Sequence, residues 1–298
     1  MDEAPLGLAI VLTTTRQRDC LESRFVLTAV GIPSQAIERE GAWHLLVSQS
    51  DSLQAAAELA AYRQENPNQP LNPHAKIPLY EGAMEAIVVY AIVVMAIATL
   101  AARKVFGLNW VSAGWMHAGS VTAGQWWRTI TALTLHLDVA HLVANLIFGS
   151  VFGYLAGRIL GGGVAWLAIV VAGATGNLIN AWIQPPAHTS IGASTAVFAA
   201  LAIIVAHALR PRPPVQTKRL VRWSPLIGGI LLLAFTGVGG ERTDVAAHVT
   251  GFGSGLVFGW VGCRLPERWL GKPSTQQSAG LMAIALIGLA WFLALSTH

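Results

Sequence analysis

Beyond residue 82 the sequence is dominated by seven apolar segments, at approximately 83–102, 140–160, 162–183, 193–209, 225–238, 245–264 and 280–296. Each is near the ~20 residues that a helix needs to cross about 30 Å of hydrocarbon. A bilayer offers no water to an unpaired backbone group, so such segments span as helices. The chain is 54% hydrophobic and 11% charged, whereas a soluble domain carries about 25% charged residues. The expectation is an all-α polytopic membrane protein. The fifth segment is the shortest and contains Gly228 and Gly229, which makes it the weakest span.

The first 80 residues differ in character. They hold six Lys/Arg against nine Asp/Glu, and residues 81–298 hold thirteen against six. Leu8–Thr13 and Trp43–Ser48 read as strands, with Ala36–Arg39 a weaker one. Arg16–Val30 and Asp51–Gln64 carry helical spacing, the second with Ser50 or Asp51 as N-cap. This predicts a small soluble N-terminal α/β domain over 1–65, followed by a Pro-rich linker over 66–80. The domain shows no catalytic or cofactor motif, so it reads as a regulatory or docking module whose partner the sequence does not name. The acidic Met1-Asp2-Glu3 start and the late first apolar run predict no cleaved secretory signal. Cys20 and Cys263 lack metal-ligand spacing, and no metal or other cofactor is expected. Despite a pI near 9.4, the basic residues sit at the ends of apolar segments. That pattern indicates membrane orientation and not nucleic-acid binding.

With the N-terminal domain inside, the inner loops hold Arg158, Arg210, Arg212, Lys218, Arg219, Arg222, Arg264, Arg268 and Lys272. The outer loops hold only Arg103, Lys104, Arg128 and Arg242. This asymmetry predicts a cytoplasmic N-terminus. Segments two, four and six then enter from the outer face, which gives four polar residues a common depth. His141 and Asn145 begin segment two, Ser194 begins segment four, and His248 lies three residues into segment six. At 1.5 Å per residue, all four fall in the outer third of the bilayer.

Polar side chains in hydrocarbon are costly and are functional candidates by default. A serine is a weak nucleophile until a base lies within hydrogen-bond reach, and His248 is that base. Gly251, Gly255 and Gly259 share its helical face and would let two helix backbones approach closely; ordinary helix packing is the competing explanation of that stripe. No carboxylate lies within segments two to six, so a Ser194–His248 dyad is expected, with Asp244 as a helix-start residue. His141 and Asn145, at i and i+4, project from one face and could donate to an oxyanion together with the Ser194 amide. Interhelical hydrogen bonding is the alternative for that pair, and their shared depth with Ser194 favours the site. Asn177 and Asn180 read as packing residues, and His136 and His141 at i, i+5 do not share a face for a metal.

Taken together, these motifs resemble the rhomboid family of intramembrane serine proteases. The resemblance is carried by Gly124-Gln125-Trp126-Trp127-Arg128, Leu135-His136, His141-xxx-Asn145, Gly192-Ala193-Ser194 and Ala247-His248-xx-Gly251-xxx-Gly255. It implies a six-helix catalytic core over 81–265, with residues 266–298 adding a linker and an appended seventh helix. It further implies catalysis by Ser194 and His248, an oxyanion hole from His141, Asn145 and Ser194, and support of the dyad by Gly192, Phe198, Gly251 and Gly255. Trp126-Trp127-Arg128 would lie in a loop half-sunk in the outer leaflet. Two positions depart from the family pattern. Thr195 stands where many members have Gly, which stands to narrow the substrate pocket. Phe198 replaces a Tyr whose ring packs on the catalytic histidine, keeping the ring and losing the hydroxyl.

The implied activity is cleavage of transmembrane segments of other membrane proteins, in a bacterial inner membrane with the site open to the outer face. The alternative is a catalytically inactive rhomboid-like protein that binds client transmembrane helices. A transporter would be expected to carry intramembrane carboxylates or matched repeat halves, and the sequence shows neither.

Overall fold

The computed structural model describes residues 7–66, 79–210, 219–237 and 244–297. The chain divides into two compact units, Met1–Ile77 and Pro78–His298. The expected Pro-rich linker, apart from its ends, and the loops holding Arg212, Lys218 and Arg242 lie outside the described residues.

The N-terminal unit contains β1 (Leu8–Thr14), α1 (Gln17–Ala29), β2 (Ser34–Arg39), β3 (Ala42–Ser48) and α2 (Ser52–Glu65). Its sheet order is β1-β3-β2, with both pairings antiparallel. Residues His44, Leu45, Leu46 and Val47 of β3 are all buried, as fits the central strand, and Leu45 and Val47 face the core. Cys20, Leu27, Ala55 and Leu59 bring the helices onto it. α2 starts with Asp51 at its N-cap position, one of the two residues expected there, although the Asp51 side chain makes no cap bond to the helix. A short 3-10 turn over Gln49–Asp51 precedes the helix and is capped by Ser48, whose Oγ accepts the Asp51 N–H at 3.3 Å and donates to the Asp51 carboxylate at 2.8 Å.

The second unit begins with α3 (Ala83–Ala102). A connecting region follows, holding α4 (Trp110–Gly114), β4 (Met116–His117), α5 (Ala118–Thr122), α6 (Arg128–Thr131) and a 3-10 turn over Ala132–Thr134. Then come α7 (Val139–Leu160), α8 (Gly162–Ile183), β5 (Thr189–Ser190), α9 (Ser194–Ala208), α10 (Arg219–Gly237), α11 (Val245–Gly262), α12 (Glu267–Leu270) and α13 (Pro273–Ser296). Among the described residues, α3, α7, α8, α11 and α13 are long and apolar enough to cross a membrane. All seven apolar segments of the sequence are thus helical. α10 and α13 each start about two turns before their apolar runs. Hydropathy marks only the hydrocarbon-facing part of a helix, and Pro273 supplies a favoured first residue for α13.

α9 is only 15 residues long, yet every residue from Val197 to Ile203 is buried. It is the central helix, enclosed by protein more than by lipid. Arg128, also buried, is held by the Gln125 side chain and by the carbonyls of Ser112 and Trp115. This satisfies a guanidinium that would otherwise be costly at that depth. α8 is tied to α6 by Asn177, whose amide donates to the Thr129 carbonyl at 2.9 Å.

Candidate active site

The glycines of α11 decide how close its backbone comes to α9. A β-carbon at Gly251 would run into the Thr195 carbonyl, one at Gly255 into the Ala199 backbone, and one at Gly259 would lie 2.7 Å from the Ile203 Cα. Small residues at this spacing are what permits such an approach. The contact brings His248 Nε2 to 2.8 Å from Ser194 Oγ. His248 is buried, and the Phe198 ring lies on it at 4.6 Å between centroids. The Phe in place of Tyr therefore keeps the packing surface.

Thr195 alters the expectation attached to it. It is buried, and its methyl sits at the crossing of three helices, 2.8 Å from where a Gly251 β-carbon would be and 3.0 Å from where one at Gly176 would be. Its added bulk is taken up by helix packing.

The loop ahead of Ser194 is fixed by several bonds. β5 pairs antiparallel with β4, matching Met116 to Ser190 and His117 to Thr189. The Gly192 N–H donates to the Ala132 carbonyl at 3.0 Å. Gly192 itself adopts φ +135° with His141 against it: a β-carbon there would lie 2.6 Å from His141 Cε1 and 2.8 Å from Nε2. Only glycine meets both demands. His141 is thereby placed beside the loop that leads into Ser194. Its ring meets His136 edge-on at 5.3 Å.

Asn145 lies one turn further along α7, is buried, and donates from Nδ2 to the His141 carbonyl at 3.0 Å. An amide nitrogen carries two hydrogens, so this bond uses one of its two donors. α7 and α11 each begin on an aspartate cap: Asp138 Oδ1 accepts the His141 N–H at 2.8 Å, and Asp244 Oδ1 accepts the Ala247 N–H at 3.0 Å.

Asp244 does more than cap the helix. Its Oδ2 accepts from Asn180 Nδ2 at 2.7 Å and from His188 Nε2 at 2.8 Å. Burial pushes its carboxyl up, but donors from His188, Ala247, Ser190 and Asn180 outweigh that and hold it below the usual value. With a depressed pKa, the network is intact at neutral pH and is lost only as pH falls through the acid range. It joins the start of the His248 helix, the loop before Ser194 and α8. His188 was not anticipated from the sequence, and Asn180 was read only as a packing residue. The partner of each lies in a distant segment, with no periodicity to mark it.

Residues 123–265 match the family model of the rhomboid domain. They form a rhomboid domain. Over 170 residues the chain is 29% identical to Rhomboid protease GluP of Bacillus subtilis (strain 168), covering 57% of this chain and 31% of that protein. Over 152 residues it is 26% identical to the chloroplastic Rhomboid-like protein 11 of Arabidopsis thaliana, covering 48% of this chain and 54% of that one. The matches thus span about a third and about half of these relatives' lengths. The match to the rhomboid domain and, among the described residues, the five apolar helices long enough to cross a membrane support an integral, multi-pass membrane protein. Ser194, His248, His141 and Asn145 all fall within the rhomboid domain, whereas α3 and α13 lie outside the matched residues.

Proposed function

We propose that this chain is an intramembrane serine endopeptidase that cuts peptide bonds in or near transmembrane segments of other membrane proteins. The observation that carries the reading is the 2.8 Å approach of Ser194 Oγ to His248 Nε2 near the N-terminal ends of two apolar helices. In the proposed reaction, His248 takes the Ser194 proton as the oxygen attacks the scissile carbonyl, and later delivers it to the leaving amine. The resulting oxyanion is held by the Ser194 N–H at a helix start, where amides are unpaired and the dipole is positive, and by His141 and Asn145. Gly192, Phe198, Gly251 and Gly255 keep the dyad in register. No cofactor takes part. A relative named as a protease supports this reading, as does the direct Ser–His contact, which a protein that only binds client helices would not need.

The proposed setting is a bacterial inner membrane, with the N-terminal domain cytoplasmic and the site opening outward. The excess of Lys/Arg in the inner loops supports that orientation. The test is to reconstitute the purified protein with a transmembrane substrate whose segment contains small, helix-destabilising residues, and to weigh the products. A Ser194-dependent cut inside or bordering the segment is expected; an intact substrate, or cuts confined to distant soluble regions, contradicts the proposal.

The N-terminal domain is proposed to be dispensable for the chemistry, because every proposed reacting group lies beyond residue 140. Deleting residues 1–75 is expected to leave reaction of Ser194 with a fluorophosphonate intact, any loss appearing in substrate choice or expression. Complete loss in a truncated protein that keeps its thermal transition in detergent would show that this domain completes the enzyme.

A further inference from the structure

The seventh helix, α13, lies beyond the rhomboid domain, and the sequence presents it as an appendage. Its position is otherwise. Trp291, 6% exposed, donates its indole Nε1–H to Thr134 Oγ1 at 3.0 Å. The Thr134 hydroxyl in turn donates to the Thr131 carbonyl at 2.8 Å. The indole lies 5.0 Å from the Trp110 ring, between centroids. It fills a hollow that exists because residue 114 is glycine: a β-carbon there would sit 2.5 Å from Trp291 Cη2 and 2.9 Å from Leu135 Cδ1. Ile191 packs against the same cluster.

Thr134 closes the 3-10 turn that begins at Ala132, and the Ala132 carbonyl is the one that accepts the Gly192 N–H. A continuous run of contacts therefore leads from α13 through Thr134 and Ala132 to Gly192, two residues before Ser194. On the other side of the turn, Leu135 leads into His136, whose ring meets His141. Lipid gives helices no hydrophobic drive to associate in one register, so close packing and interhelical hydrogen bonds are what fix it.

We propose that Trp291 is a positioning residue, which through Thr134 sets the place of the 188–194 loop and so of the Ser194 hydroxyl and amide. The kinetic part rests on the serine-protease reading; the structural part does not. Trp291→Phe keeps a ring and removes the N–H, and Thr134→Val keeps the shape and removes the hydroxyl. Each variant is expected to lower kcat and the fluorophosphonate reaction rate by about 10- to 100-fold, the scale of a misplacement near 1 Å, with KM unchanged. The double variant is expected to lose no more than the greater single loss.

Hydrogen–deuterium exchange in detergent reads the same coupling without activity: amides in 189–194 are expected to exchange faster in both variants, while those of α11 stay at parental rates. Parental exchange in 189–194 overturns the proposal, as do parental rates in a parent that reacts, or losses that multiply in the double variant. A parent that never reacts at Ser194, yet shows the exchange response, overturns the protease reading and leaves the positioning role standing.

Discussion

Ser194→Ala and His248→Ala are each expected to abolish cleavage of a transmembrane substrate. In the proposed dyad the two groups act as a unit: without the hydroxyl there is no acyl acceptor, and without the imidazole the hydroxyl keeps its proton. Removing either member of such a pair costs on the order of 10⁶ in kcat, and the double variant is expected to be no worse than either single one. The stability effects should differ. Ser194 is only partly buried, and its loss removes one hydroxyl, so the thermal transition in detergent should stay near that of the parent. His248→Ala removes the ring on which Phe198 lies, and its transition should fall, as expected when a buried ring is truncated. Turnover retained in purified Ser194→Ala would overturn the mechanism.

Asn145→Ala is expected to lower kcat by about 10²–10³, the usual effect of removing one oxyanion donor. The Ser194 amide and His141 remain in the variant and will moderate the loss. KM should change little, because the donor matters most as charge develops on the carbonyl oxygen. Helix α7 should survive, since the Tyr90 hydroxyl donates to the Asn145 backbone carbonyl at 2.8 Å, a bond that truncation leaves in place. A variant whose only defect is a raised KM would make Asn145 a substrate contact or a packing residue instead.

The spans were legible because hydrocarbon thickness imposes a length on every crossing helix, so α3 and α8 match the apolar runs residue for residue. The candidate site was legible for a related reason. Ser194, His248, His141 and Asn145 stand out against apolar surroundings, and the glycine stripe after His248 forecast the close approach of α9 and α11. The bonds that hold the site were not legible. Asp244 could be read as a cap from its place before an apolar run, but its ties to His188 and Asn180 join segments far apart in the chain. The Gly192 bond to Ala132 is made by backbone groups, which carry no residue signature. Trp291 looked like one more apolar residue in a membrane helix, and its indole N–H finds its partner only when α13 is docked. Thr195 was misjudged for the same reason: which face of a helix crosses its neighbour is decided by three helices at once.

The central claim, that His248 activates Ser194 as a nucleophile, is tested most directly by reacting the purified protein with a fluorophosphonate at neutral pH and locating the adduct by mass. The account predicts one covalent label, on the peptide containing Ser194, and none in Ser194→Ala. A folded parent that takes up no label, or a Ser194→Ala variant labelled as fast as the parent, would contradict it.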